Sequence, residues 1–195
     1  MNAIILQGSP RKKGNTQQFS AGFLDELRRA GVQVREVWLY DLDLRPCLAC
    51  KACQTRPGEM GCVQKDDMPA LFQQCLEADL LVFSVPIYAF FAPAPVKAFM
   101  DRFIYAAGKF YGPERLPPLT QGKACAVLAT SGYPTDHVVP IFTEAVRRTC
   151  KHIGMDYLGS AAARDLGNGH VFLTPEKEAE ARRFAHTVLD AMAQR

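Results

Sequence analysis

Gly8-Ser9-Pro10-Arg11-Lys12-Lys13-Gly14-Asn15-Thr16 follows the apolar run Ala3-Ile4-Ile5-Leu6 and precedes a helical pattern that starts near Asn15. A buried strand that turns through Gly, Ser and Pro into a helix start is a place to hold a phosphate. Hydroxyls and free backbone N–H groups line such a turn, and the helix N-terminus adds partial positive charge. Asn15 or Thr16 is the expected N-cap, and Arg11, Lys12 and Lys13 bring full charges beside it. The stretch is not an ATP-type loop, because one residue too many separates Gly8 from Gly14 and Asn15 stands where a lysine is required. Nor is it a dinucleotide fingerprint, because Pro10 takes the place of the second glycine. A hydroxyl-rich loop suited to a terminal phosphate monoester is one reading. An ordinary polar connection with a basic tip is the other.

Beyond this loop the chain keeps one rhythm. Phe19, Phe23, Leu24 and Leu27 form a helical stripe over residues 16–30, and Gly31 fits as the stop. Residues 32–39 alternate and are partly polar, as suits an edge strand. Asp66 or Asp67 caps a helix to about Ala78, with Pro69 in its first turn. Leu80-Leu81-Val82-Phe83-Ser84-Val85 is nearly all apolar, which predicts a central strand covered on both faces. A helix over 96–107, a loop over 108–122, a strand over 124–129 and a helix from His137 to Ile153 follow. Met155 to Ala161 reads as a weaker fifth strand, and Thr174-Pro175 opens the last helix. There is no internal repeat, low-complexity tract or linker. The expectation is one domain over residues 1–195, with a cysteine-bearing loop at about 41–66.

Strands alternating with helices require right-handed crossovers and a parallel sheet covered on both faces. The order 2-1-3-4-5 puts the switch point between strands one and three, and ligands bind there beyond the strands' carboxyl ends. Three loops then converge, at 8–16, 86–91 and 130–134. The second carries Pro86, Ile87, Tyr88, Ala89 and Phe90, and the third Thr130, Ser131, Gly132 and Tyr133. Loop aromatics alone favour core packing or a subunit interface. Their convergence with a phosphate loop favours a planar ring joined to a phosphate by a short chain, a description that FMN meets.

Composition bounds the rest. With 195 residues, 48% hydrophobic and 22% charged, the chain can bury a substantial core. A net charge of +3 without a basic stripe gives no reason to expect nucleic acid. No apolar run is long enough to span a membrane. The chain starts directly on a strand without a signal peptide, so a cytoplasmic setting with reduced thiols is expected. His137, His152, His170 and His186 lack metal-ligand spacing and read as solvated or core residues.

Of seven cysteines, four fall in Cys47-x2-Cys50-x2-Cys53-x8-Cys62. Three at that spacing can turn their sulfurs to a common point, and a fourth nearby completes four-thiolate ligation. Zinc would want two separated Cys-x2-Cys pairs, and packed free thiols are the third reading. Cys75, Cys125 and Cys150 read as small core residues.

Gly8-Ser9-Pro10-Arg11 with Gly14-Asn15-Thr16, Cys50-x-x-Cys53, Asp66-Asp67-Met68, Pro86-Ile87-Tyr88 and Lys97-x-x-x-Asp101-Arg102 together resemble the flavodoxin-like NAD(P)H-dependent FMN reductases. The likeness is closest to their cysteine-bearing branch, which includes the iron–sulfur flavoproteins, and it spans nearly the whole chain. It implies a flavodoxin-like three-layer α/β sandwich, bound FMN, NAD(P)H as co-substrate and a homodimer or homotetramer. By this likeness Ser9, Arg11, Gly14, Asn15 and Thr16 would hold the phosphate, and residues 86–90 and 130–133 would border the isoalloxazine. The iron–sulfur members carry a 4Fe–4S cluster on such a cysteine group, although the eight-residue last gap is slightly longer than usual among them. The implied activity moves electrons from NAD(P)H to a quinone, free flavin or other small acceptor, or, alternatively, passes them to a redox protein partner. The chemistry would be the flavin's, so no catalytic side chain is expected. Lys97, Asp101 and Arg102 match a family motif that a buried ion pair or a subunit contact would also explain.

Overall fold

The structure, a computed structural model, describes residues 1–112, 114–167 and 169–195. Asn168 and, within the expected loop 108–122, Pro113 lie outside the described residues. Five parallel strands stand in the order β2-β1-β3-β4-β5. They are β1 (Asn2–Gln7), β2 (Gln33–Trp38), β3 (Leu80–Pro86), β4 (Ala124–Ser131) and β5 (Asp156–Arg164). The helices are α1 (Asn15–Arg29), α2 (Met68–Glu77), α3 (Ala94–Ala107), α4 (Thr135–His152) and α5 (Pro175–Ala193). This is the expected architecture and strand order.

The period-two alternation of the strands divides the core into two layers. Ala3, Ile5, Leu80, Val82, Ala124, Ala126 and Leu128 meet Phe19, Phe23 and Leu27 of α1 and Ala181, Phe184 and Val188 of α5. Ile4, Leu6, Leu81, Phe83, Val85, Cys125 and Val127 meet α2, α3 and α4. Every residue of β3 is buried, as its unbroken apolar run requires, whereas the edge strand β2 is only half-buried. Cys75, Cys125 and Cys150 lie in the second layer. Burial pushes the Cys75 thiol out of the range in which it could react, and the neighbouring Cys150 thiol, together with burial, raises Cys125 likewise; all three are free.

Local signals explain the end of α1 and the start of α5. Gly31, at φ +76°, lets Val32 N donate to Leu27 O and Gly31 N donate to Arg28 O, closing α1. Thr174 caps α5, its hydroxyl accepting from Lys177 N at 3.4 Å. The start of α1 differs from expectation. Its cap is Gly14, with no side-chain bond, while Asn15 and Thr16 are its first helical residues. Their side chains bond instead to Asp165, after β5, and to Thr130 of β4, which leaves the first amides without a side-chain cap. β5 also runs three residues past Ala161, to Arg164. Its run of alanines has weak strand propensity, and pairing with Ala129, Thr130 and Ser131 of β4 imposes the conformation.

Candidate functional site

The loops after β1, β3 and β5 leave the carboxyl edge of the sheet, and the first amide of each is bonded to a neighbouring strand. Gly8 N donates to Ser84 O at 2.8 Å, Ile87 N to Thr130 O at 2.7 Å, and Asp165 N to Ser131 O at 2.7 Å. Gly8 has no room for a side chain, since a Cβ there would stand 2.6 Å from Val96 Cγ2 and 2.9 Å from Val85 Cγ1. Arg11 N donates to the buried Ser9 hydroxyl at 3.2 Å, and Gly14 N donates to Arg11 O at 3.0 Å, so residues 9–14 curl into a closed turn. A Cβ on Gly14 would press to 2.9 Å from Arg11 Cβ. Thr16 Oγ1 and Thr130 Oγ1 are 2.7 Å apart and buried, pinning α1 to the end of β4. Asn15 Nδ2 donates to Asp165 Oδ2 at 2.6 Å, which ties the same turn to the end of β5.

The segment after β3 makes a two-residue turn. Tyr88 N donates to Phe91 O at 2.8 Å and Phe91 N to Tyr88 O at 3.0 Å, with Ala89 at φ +47° and Phe90 at φ +67°. Two successive non-glycine residues in the left-handed region are strained, and such strain concentrates at binding sites. The turn divides its aromatics. Phe91 packs edge-on against Phe142 in the core, whereas Tyr88 and Phe90 stay about half exposed, Phe90 lying edge-on to His137. Ser131 Oγ donates to Tyr133 O, and the Tyr133 ring faces solvent.

Ser9, Arg11, Gly14, Asn15, Thr16, residues 86–90 and residues 130–133 are therefore brought to one rim. Lys12 turns away from it, pairing with Asp41 at 2.5 Å and lying over the Trp38 ring. Two rim residues escaped the sequence reading. Tyr40 neighbours Tyr88, and burial with that phenol raises its pKa. Asp165 holds Asn15, and the glycine-flanked turn after β5, where Gly167 N donates to Asp165 Oδ1 at 2.9 Å, was its only sequence signal. The arrangement fits FMN. The amides at the start of α1 lack a side-chain cap, as a phosphate site requires, and the exposed rings of Tyr88 and Phe90 stand on the same rim.

A second site lies on the α3 side. Cys47, Cys50, Cys53 and Cys62 line one cavity of about 60 Å3, together with Arg102 and Tyr105 of α3. Among the described residues no group of three or more His, Cys, Asp or Glu side chains is arranged to hold a metal ion. Residues beyond the cysteines build the loop. Lys109, 1% exposed, donates from Nζ to Cys53 O and Glu59 O at 2.7 Å and to Met60 O at 3.4 Å. Burial lowers its pKa. Gln54 donates to Tyr105 O and to Gly108 O, and accepts from Tyr111 N. Asp66, expected as a helix cap, does receive Met68 N, but its main partner is Arg102. Lys97 and Asp101 form an exposed pair separate from this group. Ala49 and Lys51, at φ +53° and +58°, add strain to the loop.

Replacing Lys109 by Met should remove the buried donor shared by the Cys53, Glu59 and Met60 carbonyls. We expect a loss of about 2 kcal/mol, read by urea denaturation, and faster labelling of Cys53 by a thiol reagent.

A family model described as "Flavodoxin-like fold" matches residues 1–191. The chain belongs to this flavodoxin-like family. Its relatives include an iron–sulfur flavoprotein of Archaeoglobus fulgidus, 35% identical over 104 residues, which are 53% of this chain and 46% of that one. An FMN-dependent NADH:quinone oxidoreductase of Gluconacetobacter diazotrophicus is 26% identical over 131 residues, 67% of this chain and 65% of that one. The chain spans about half the length of the iron–sulfur flavoproteins it matches. Among solved structures, an NAD(P)H:quinone oxidoreductase from Methanothermobacter marburgensis superposes with a TM-score of 0.72 at 20% identity, covering 96% of both chains, a likeness of fold. No described helix of this flavodoxin-like chain is long and apolar enough to cross a membrane.

Proposed function

We propose that the protein is an FMN-dependent oxidoreductase that moves electrons from NAD(P)H to a quinone, free flavin or other small acceptor in the cytoplasm. The observation that carries this reading is the convergence of three strand-end loops on the uncapped start of α1. FMN, when bound, supplies hydride acceptance and electron transfer. The chain does the rest. Ser9, Arg11, Asn15 and Thr16, with the α1 amides, would hold the phosphate, and residues 86–90 and 130–133 would border the ring. No side chain is assigned as acid or base. The half-exposed Tyr88 and Phe90, with Tyr133 and Ile141, suit a homodimer or homotetramer that covers the rim.

The cysteine cavity favours a second reading, an iron–sulfur flavoprotein that carries electrons to a redox protein partner. Cys47, Cys50, Cys53 and Cys62 would ligate a 4Fe–4S cluster, a donor set suited to iron or zinc. Names borne by the relatives support both readings.

An absorption spectrum of protein purified without oxygen tests them. Flavin bands that bleach on adding NADH or NADPH are expected for the oxidoreductase. Bleaching only by a reduced partner protein would favour the carrier. Protein that neither contains nor takes up FMN would overturn both.

A further inference from the structure

Arg102 does more than its ion pair requires. Its side chain is 2% exposed, and that of Asp66 is fully buried. Nη1 donates to Asp66 and to Arg45 O at 3.2 Å, and Nη2 donates to Asp66 Oδ1 at 2.9 Å and to Cys62 Sγ at 3.2 Å. Those bonds occupy the four terminal N–H groups. The fifth, on Nε, is buried and has no acceptor among the described residues. A buried unpaired donor is costly and calls for an explanation. A salt bridge alone explains neither the sulfur contact nor the spare Nε–H. Both belong to a residue that lines the cavity of the four cysteines.

We infer that Arg102 is a positioning residue of the cysteine site. Its guanidinium fixes the Cys62 sulfur, keeps Nε–H for an acceptor in the group the four sulfurs hold, and raises that group's reduction potential. The inference rests on the iron–sulfur reading above. One electron added at the sulfurs adds one negative charge, and the guanidinium, which stays protonated, attracts the reduced site more than the oxidised one. Asp66 neutralises part of this charge and, bonded to both Nη atoms, anchors the fork that makes the N–H···S contact. Hydrogen bonds to sulfur and local charge are recognised determinants of such potentials.

The test uses the full chain reconstituted without oxygen with ferrous iron and sulfide. Iron and acid-labile sulfide are counted, and the cluster is titrated by electron paramagnetic resonance, apart from the flavin. In Arg102→Gln, iron and sulfide should match the parent. The ratio of reduced to oxidised cluster at a fixed potential should fall at least tenfold, about 59 mV for one electron. Arg102→Lys keeps the charge and loses the fork, so its ratio should fall by a smaller factor. If Arg102→Gln does not fold, Arg102→Lys carries the test, and an unchanged ratio there overturns the inference. An unchanged ratio in Arg102→Gln, at full or reduced occupancy, also overturns it and leaves Arg102 a scaffold. A parent protein that takes up no iron and sulfide overturns the iron–sulfur reading itself and this inference with it.

Discussion

Asp66→Ala is expected to destabilise the protein by about 3–5 kcal/mol, because it leaves the Arg102 guanidinium buried without its counter-ion. The two side chains are 2% and 0% exposed, so water cannot replace the lost carboxylate. The loss should spread along the loop. Asp66 also receives Arg45 N at 3.1 Å and Met68 N at 3.3 Å, so one carboxylate fixes both flanks of the cysteine segment and the start of α2. Burial alone would raise its pKa. The Arg102 hydrogen bonds and the Arg45 amide outweigh burial and hold it below the usual carboxylate value. A group with a lowered folded pKa stabilises the fold above its unfolded pKa, and that contribution fades as pH falls through the folded value. Urea midpoints between neutral pH and about pH 3 should therefore fall more steeply in the parent than in Asp66→Asn. Equal slopes would mean that the pair does not stabilise the fold, and a change under about 1 kcal/mol in Asp66→Ala would mean the same.

The elements that could be read from sequence are those whose cause is local. The apolar run of β3 can only be a strand covered on both faces, and Gly31 closes α1 through bonds to its own last turn. Thr174 and Pro175 mark the start of α5 within two residues. What was not legible depends on partners far apart in the chain. Asn15 reads as a cap until Asp165, 150 residues later, takes its amide. Asp66 and Asp67 read equally as the cap of α2; Asp67 takes the position, and Asp66 is drawn to Arg102 of α3. Lys109 reads as a loop lysine, yet three carbonyls of a different segment bury it. The cysteine spacing announced a cluster of sulfurs but not the cations that support it. Asn15 and Asp66 each have a helix amide as the local partner, and tertiary packing supplies a stronger one.

Asn15→Asp tests the rim most directly. The substitution changes a donor 2.6 Å from Asp165 Oδ2 into a second carboxylate. Asp165 cannot simply retreat, since its amide is bonded to Ser131 O and its other oxygen to Gly167 N. Two such charges repel by about 4 kcal/mol at 4 Å in a half-exposed setting. The α1 N-terminus returns only about 0.3–1 kcal/mol to a negative side chain. Repulsion wins, so the turn opens, and FMN affinity measured by fluorescence quenching should fall at least about tenfold, or 1.4 kcal/mol. Like charges favour the protonated form and raise the pKa of the pair, so the defect should ease as pH falls. The exchange variant Asn15→Asp/Asp165→Asn separates latch from ligand. It restores an amide–carboxylate bond but leaves the negative charge on the first residue of α1. Affinity that stays low places the FMN phosphate against that residue. Affinity that returns to the parent value would make Asn15 a latch only and move the phosphate elsewhere.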